Sequence, residues 1–151
     1  MRTYQSWAWE AKYVVPDWAT DAQLWEEAFA LLRTEPPAYE PCFLHRDFSL
    51  RNVLWEGEEI SGIIDWVETS IGPAWLDVAH CGTNIAIRQG SARADEFAAT
   101  YVERTGRVPQ AYFDVMDLVG FLSAPGRAAF TSDPAQFALL EERLRAVMER
   151  V

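Results

Sequence analysis

The strongest constraint on the fold is a polar segment, HRDFSLRN at residues 45–52, which lies between two short apolar runs. Residues 53–56 and residues 60–65 form two strand-like runs with a glycine at the turn between them. Two such runs predict an antiparallel β-hairpin. Because a hairpin brings the start of its first strand beside the end of its second, Asn52 and Asp65 are expected to lie close together.

Three side chains in and around this hairpin match what phosphoryl transfer to a hydroxyl requires. A carboxylate must orient the acceptor hydroxyl and receive its proton, and metal ions must neutralise the charge that develops on the phosphate oxygens. Mg²⁺ prefers oxygen ligands, commonly one or two carboxylates together with the substrate phosphates. Asp47, Asn52 and Asp65 supply a carboxylate for the hydroxyl, an amide oxygen and a second carboxylate.

Helical patterns dominate the rest of the chain. A short strand is predicted over residues 42–44, and an earlier helix begins at Thr20, whose spacing to Gln23 forms a capping box. Four helices are predicted after the hairpin: one beginning at Pro73, one over 92–105 capped by Gly106, one over 110–122, and one opening at Asp133 with Gln136 in a capping box. The predicted fold class is mainly α with a small β-hairpin (α+β), in a single domain spanning residues 1–151.

The charge and the cysteines exclude several classes of function. A net charge of −10 argues against nucleic acid or an anionic membrane as partner, since both require basic patches. Cys42 and Cys81 lack metal-ligand spacing and lie beside apolar residues, which predicts buried, reduced thiols. No signal peptide or long apolar segment is apparent, so the expected location is the cytoplasm.

The polar segment also resembles a known catalytic loop. HRDFSLRN is similar to the pattern H-x-D-x-x-x-x-N of protein kinases and aminoglycoside-phosphotransferase-like kinases. IIDW, residues 63–66, stands where protein kinases carry D-F-G, and GPAWLDVAH, residues 72–80, resembles the G-x-x-x-x-D-x-A segment of the aminoglycoside phosphotransferase and choline kinase group. The resemblance covers residues 17–125 and implies the C-terminal lobe of the protein-kinase-like fold.

The resemblance implies an ATP- and Mg²⁺-dependent phosphotransferase, with ATP or GTP as donor and a small-molecule hydroxyl as acceptor. It implies that Asp47 is the catalytic base and that Asn52 and Asp65 are the metal ligands. His45 and Asp77 are implied as structural support for the catalytic loop.

Two positions depart from the pattern of many family members. Leu50-Arg51 replaces a Pro-Gly or similar turn, which makes Arg51 a candidate phosphate contact. Arg46 occupies a position where many relatives carry glycine, and we expect it to form a structural ion pair. His80, between Ala79 and Cys81 on a helical segment, is expected to be a packing residue.

The nucleotide-covering lobe of such kinases has no counterpart in this sequence. Only 44 residues precede His45, they contain no Gly-rich loop, and the single lysine, Lys12, lacks strand–loop–strand context. Three interpretations follow: a truncated C-terminal lobe of a small-molecule kinase, a catalytically silent binding module, or an enzyme in which this lobe alone binds the nucleotide. A surface facing an absent lobe, around the hairpin and the Trp-rich N-terminus, is expected to expose apolar area and favour oligomer formation.

The acceptor is the least constrained part of the prediction. An acidic chain is compatible with a cationic acceptor, and the resemblance admits an aminoglycoside, a sugar, an amino alcohol or a macrolide. Acidic candidates for the acceptor site follow Asp77 on the predicted helices: Asp95, Glu96, Glu103, Asp114 and Asp117. The tryptophans Trp7, Trp9, Trp18 and Trp25 favour core or interface positions over a platform for substrate stacking.

Overall fold

A computed structural model describes residues 2–151. The five α-helices are α1 (Ala22–Leu32), α2 (Trp75–Gln89), α3 (Ser91–Thr105), α4 (Ala111–Gly120) and α5 (Pro134–Met148). The four strands are β1 (Pro41–Leu44), β2 (Val53–Glu56), β3 (Glu59–Ile63) and β4 (Ser70–Pro73). Short 3₁₀ turns cover Glu10–Lys12, Leu50–Asn52 and Trp66–Glu68. The predicted α+β class, mainly helical with a small antiparallel sheet, is confirmed.

The strands form two separate antiparallel pairs. The predicted hairpin is β2–β3, in which Val53 pairs with Ile63 and a register shift falls between Leu54 and Trp55. The second pair, β1–β4, joins Leu44 to Ser70. The sequence did not predict β4, and Pro73 is the last residue of that strand instead of the first residue of a helix. An edge strand tolerates proline, because the missing N–H faces away from the ladder.

The start of α1 corrects a second detail of the prediction. Asp21, not Thr20, caps the helix, since its side chain accepts a hydrogen bond from the backbone N–H of Leu24. The Thr20 hydroxyl instead donates to Glu141 on α5, which also accepts from the indole N–H of Trp25 at 2.9 Å. A long-range carboxylate has therefore replaced the local capping box.

The ends of the later helices agree with their predicted signals. Gly106 ends α3 in the left-handed conformation (φ 67°), where its N–H bonds to the carbonyl of Val102. Asp133 caps α5 and Pro134 occupies its first turn, but Gln136 contributes only its backbone N–H to Asp133. Within residues 2–151, no helix is long and apolar enough to span a bilayer.

The core is centred on α2, which packs against α3, α4 and α5. Twelve of its fifteen residues are buried, so this helix is enclosed on nearly all sides. Its polar members, such as His80 and Asn84, are consequently held inside the protein. This enclosure matters because one end of α2 faces the polar segment at residues 45–52.

Candidate active site

The Asp47 carboxylate is the centre of a compact polar cluster. Arg51 Nη2 donates to both of its oxygens, at 2.8 Å to Oδ1 and 3.1 Å to Oδ2. Asn52 Nδ2 donates to Oδ2 at 3.2 Å and to the Asp47 backbone carbonyl at 2.8 Å. His80 Nε2 lies 3.1 Å from Oδ1. The carboxylate is thus fixed on both oxygens while a fifth of its side chain stays exposed.

His80 connects this carboxylate to the interior of the helical body. Its Nδ1 lies 3.0 Å from Asp117 Oδ1 on α4, and the edge of the Trp7 ring packs on the imidazole at 5.2 Å between centroids. Burial alone would lower the pKa of His80, but Asp117 and Asp47 outweigh it and raise that pKa to about 9. Both ring nitrogens therefore donate, one to each carboxylate.

The His80 imidazolium in turn lowers the pKa of Asp47. The hydrogen bond from His80 holds the pKa of Asp47 well below its usual range, with burial opposing and Arg51 assisting. Expecting His80 to be a packing residue was therefore incomplete, since it is buried and also ion-paired. One signal in the sequence pointed to it: His80 follows Asp77 by three residues, which places both on the same face of a helix.

Asp77 ties the start of the polar loop to α2. Its carboxylate accepts from the backbone N–H of His45 at 2.8 Å and from that of Arg46 at 2.7 Å. Charge-assisted bonds to two successive backbone groups fix the chain where it turns towards Asp47. This is the contact pattern that a loop-supporting role for Asp77 requires.

Arg46 has a backbone conformation that explains why glycine suits this position. Its φ is 76°, in the left-handed region that side chains with a Cβ rarely adopt. The expected ion pair is absent from the described chain: the guanidinium instead lies 4.5 Å from the centroid of Trp7 and donates to the Gln5 carbonyl at 2.9 Å. Aromatic stacking suits a weakly hydrated guanidinium, which is buried here without a carboxylate.

Asn52 and Asp65 lie at neighbouring points on the hairpin. The backbone carbonyl of Asn52 accepts from the N–H of Ile64 at 3.0 Å, and Ile64 directly precedes Asp65. His45 Nε2 donates to the Ile64 carbonyl at 2.8 Å, which links the polar loop to the same point. Asp65 itself is exposed and has a φ of 65°, so its backbone is held in an uncommon conformation.

The side-chain oxygens of Asn52 and Asp65 are of the type that Mg²⁺ binds. With Nδ2 of Asn52 committed to Asp47, its Oδ1 accepts no hydrogen bond from residues 2–151 and remains free for a cation. Asp65 adds a carboxylate, and a metal that keeps several waters and substrate phosphates needs few protein ligands. No group of three or more His, Cys, Asp or Glu side chains in the described chain is arranged to hold a metal by itself.

The acidic residues considered for acceptor binding are engaged elsewhere. Asp117 contacts His80, and Asp114 accepts from the indole N–H of Trp75 at 2.7 Å. Asp95 pairs with Arg143 and Arg150. The two remaining candidates lie on the exposed surface of α3, where Glu96 pairs with Arg93 and Glu103 faces solvent. None of the five lines a cavity beside Asp47.

The tryptophans divide between two environments. Trp25 is fully buried, and Trp18 packs against it and stacks on Phe137 at 4.7 Å, as expected of core residues. Trp7 and Trp9 instead line a cavity of about 570 Å³ that opens beside His80. Lys12 reaches the same cavity, where its ammonium donates to the carbonyl of Gly120.

Comparison with known proteins agrees with this geometry. A carboxylate fixed by a histidine, an arginine and an asparagine, beside a second carboxylate on a hairpin, is an arrangement suited to phosphoryl transfer. Residues 2–117 match the model of the phosphotransferase enzyme family, and the chain belongs to that family. The resemblance of residues 45–52 and 72–80 to aminoglycoside-phosphotransferase-like kinases is thereby confirmed. No curated protein and no solved structure shows significant similarity.

Proposed function

We propose that this chain transfers the γ-phosphate of ATP or GTP to a hydroxyl group of a small molecule. Membership of the phosphotransferase enzyme family supports the reaction class. The observation that carries the proposal is the setting of Asp47, a carboxylate that is fixed on both oxygens yet partly open to solvent. Of its three donors only Arg51 is exposed, so the Arg51 contact can give way when a hydroxyl binds.

Asp47 would orient the acceptor hydroxyl by accepting its hydrogen bond. Because His80 and Arg51 keep the pKa of Asp47 low, it is ionised at physiological pH and ready to accept. A carboxylate of low pKa is a weak base, so it takes the proton late, when the acceptor oxygen has begun to bond to phosphorus and has become acidic. This order suits the loose transition state of phosphoryl transfer, in which positioning contributes more than proton abstraction.

Asn52 and Asp65 would hold Mg²⁺ through the free amide oxygen and the exposed carboxylate. When bound, the metal supplies neutralisation of the phosphate charge. The hydrogen bond from His45 to Ile64 and that from Ile64 to Asn52 support this role, since they keep the two ligand-bearing segments together. Asn52 therefore serves both sides of the site, through Nδ2 to Asp47 and through Oδ1 to the metal.

Arg51 would add a contact to the transferred phosphate. Its guanidinium donates to Asp47 through Nη2 alone, so its remaining N–H groups are available to an anion that approaches the same carboxylate. More than half of the side chain is exposed, which lets it shift as a substrate arrives. The apolar side chains of Leu54 and Ile64 are also exposed on the hairpin and offer a surface for a nucleotide base.

The proposal is tested by following ADP formation from ATP–Mg²⁺ with a panel of hydroxyl compounds. Acceptor-dependent ADP release is expected from the wild-type chain, and Asp47→Asn is expected to lower it by about 10²- to 10⁴-fold. Asp17→Asn, at an exposed aspartate away from the site, serves as the matched control and should retain activity. Near-normal turnover in Asp47→Asn would remove Asp47 from the mechanism. No turnover with any acceptor would favour a catalytically silent binding module.

A further inference from the structure

The cavity beside His80 has a lining that differs from the rest of the protein. Its volume is about 570 Å³, and its walls include the aromatic rings of Trp7, Trp9 and Phe130. Lys12, Arg51 and Arg127 also line it, together with the His80 ring, which is paired with Asp47 and Asp117. Among residues 2–151, no aspartate or glutamate contributes to its wall. Such a lining is unusual in a chain with 23 acidic and 13 basic residues.

The cavity lies on one particular side of Asp47. Asn52, the proposed metal ligand, contacts Oδ2, whereas His80, which lines the cavity, contacts Oδ1. Arg51 spans both oxygens. Both residues that contact Oδ1, His80 and Arg51, line the cavity, whereas Asn52 does not. Asp47 is not part of the cavity wall, so a hydroxyl from a molecule in the cavity would reach its carboxylate past the exposed side chain of Arg51.

The cations around the cavity retain binding capacity. Arg127 is exposed and forms no ion pair or side-chain hydrogen bond with any residue that the structure describes. Arg51 uses only Nη2 for Asp47. Lys12 is anchored to the Gly120 carbonyl and lies 4.6 Å from the centroid of the Trp9 ring, so its charge is fixed at the wall. A guanidinium with free N–H groups matches a carboxylate or a phosphate.

We propose, on the basis of the phosphotransferase function proposed above, that the acceptor carries an oxyanion on an apolar or aromatic body. Its carboxylate or phosphate binds Arg127, its body packs on Trp7 and Trp9, and its hydroxyl meets Asp47. This replaces the sequence-based expectation of a cationic acceptor. A cation would meet the positive charges of Lys12, Arg51 and Arg127 here, and none of the five acidic candidates lines the cavity to offset them.

The reaction at this acceptor is balanced without any further reactant. A bond forms between the acceptor oxygen and the γ-phosphorus, and the bond from that phosphorus to the β–γ bridging oxygen breaks. The nucleoside diphosphate leaves with the electron pair of the broken bond. The hydroxyl proton passes to Asp47 and then to solvent, and the product is a phosphate monoester of the anionic alcohol.

Three probes that share one ring and one alcohol test the charge preference. They are 4-(hydroxymethyl)benzoate, 4-(hydroxymethyl)benzamide and 4-(hydroxymethyl)benzylamine, with charges of about −1, 0 and +1 near neutral pH. A fourth, 4-(hydroxymethyl)phenyl phosphate, separates recognition of carboxylate from recognition of phosphate. Each is titrated calorimetrically into the purified chain without nucleotide. We expect the tighter of the two anions to bind at least about ten-fold more tightly than the amine, with the amide between them.

Two variants test whether Arg127 is the side chain that recognises the anion. Arg127→Gln should reduce the preference for the anion several-fold, whereas Arg93→Gln, at an exposed arginine on α3, should leave it unchanged. Equal affinities, a preference for the amine, or no anion binding up to about 10 mM would overturn the proposal. Displacement of the bound anion by ATP–Mg²⁺ would also overturn it, because the cavity would then be the nucleotide site.

The binding test is independent of turnover. If the chain binds the anion but never forms ADP, the proposed anionic ligand is supported and the proposed phosphotransferase function is contradicted. Conversely, if the chain prefers the amine and its ADP formation depends on Asp47, the anionic acceptor is contradicted and the phosphotransferase function stands.

Discussion

The β2–β3 hairpin and helix α2 hold opposite halves of the proposed active site in contrasting ways. Among residues 2–151, nine of the thirteen large exposed hydrophobic side chains lie from Phe43 to Val67, in and around the hairpin. By contrast, twelve of the fifteen residues of α2 are buried. Asp47 is fixed by His80 of α2 together with Arg51 and Asn52 of its own loop, whereas Asp65 lies on the exposed end of the hairpin. The base is therefore organised by folding, and the metal side depends more on what binds to it.

A large effect on stability is expected at Asp77, on the rigid side of this comparison. Asp77→Asn would place an amide N–H₂ against two backbone N–H groups that now share a carboxylate. We expect a loss of about 3 kcal/mol in the free energy of unfolding, measured by urea denaturation. The matched variant Asp65→Asn, on the exposed side, should change it by less than about 0.5 kcal/mol. Equal losses in the two variants would contradict the comparison.

The second prediction concerns the pH dependence that His80 gives to the helical side. The folded pKa of His80 is about 9, raised above its ordinary value of 6.5. Its contribution to stability is therefore fully present below pH 6.5 and is lost as the pH rises through about 9. The expected contribution is about 3 kcal/mol. His80→Gln should be less stable than wild type by this amount at pH 6, with the difference shrinking by pH 9.5.

This pH test has a direct outcome against it. A difference between wild type and His80→Gln that stays constant from pH 6 to pH 9.5 would show that His80 packs as a neutral ring. Asp47 then would not be held by an imidazolium, and the low pKa of its carboxylate would lose its main cause.

Substitutions on the hairpin are expected to have the smallest effect on stability, because its apolar side chains are largely exposed to solvent. Trp55 and Ile60 are cross-strand partners, and both are more than half exposed. Trp55→Ser should therefore cost less than about 1 kcal/mol, whereas Leu118→Ala in the buried core should cost about 3 kcal/mol.

The same exposed surface carries the proposal that the chain associates through its hairpin. Trp55→Ser should then lower the apparent mass that size-exclusion chromatography with light scattering reports at high protein concentration. An unchanged monomer in both the wild type and the variant would contradict association through the hairpin.

The contrast between the two regions also explains what the sequence could predict. The hairpin and the polar loop are local, so short strand-like runs and their spacing sufficed to place Asn52 near Asp65. His80 was underestimated because its partners, Asp47 and Asp117, lie 33 and 37 residues away in the chain. Strand β4 was missed because it pairs with β1 across the hairpin, and Pro73 carried a local signal for a helix start.

The electrostatics of the acceptor cavity were the least predictable feature. Composition showed a strongly acidic chain, which is compatible with a cationic ligand, yet the cavity beside His80 is lined by cations. Net charge averages over the surface, whereas a binding site depends on the few side chains that converge on it. Arg127 reaches the cavity from a turn after α4, a placement that no local pattern indicates.

Calorimetric titration of ATP–Mg²⁺ tests whether the chain has a nucleotide site that uses Asp65 for metal and Asp47 for the acceptor. The wild-type chain and Asp47→Asn should bind with similar affinity, because Asp47 serves the acceptor. Asp65→Asn should bind at least about ten-fold more weakly, since a metal ligand is lost. Binding by Asp65→Asn that equals wild type, or no binding by the wild-type chain, would contradict the account.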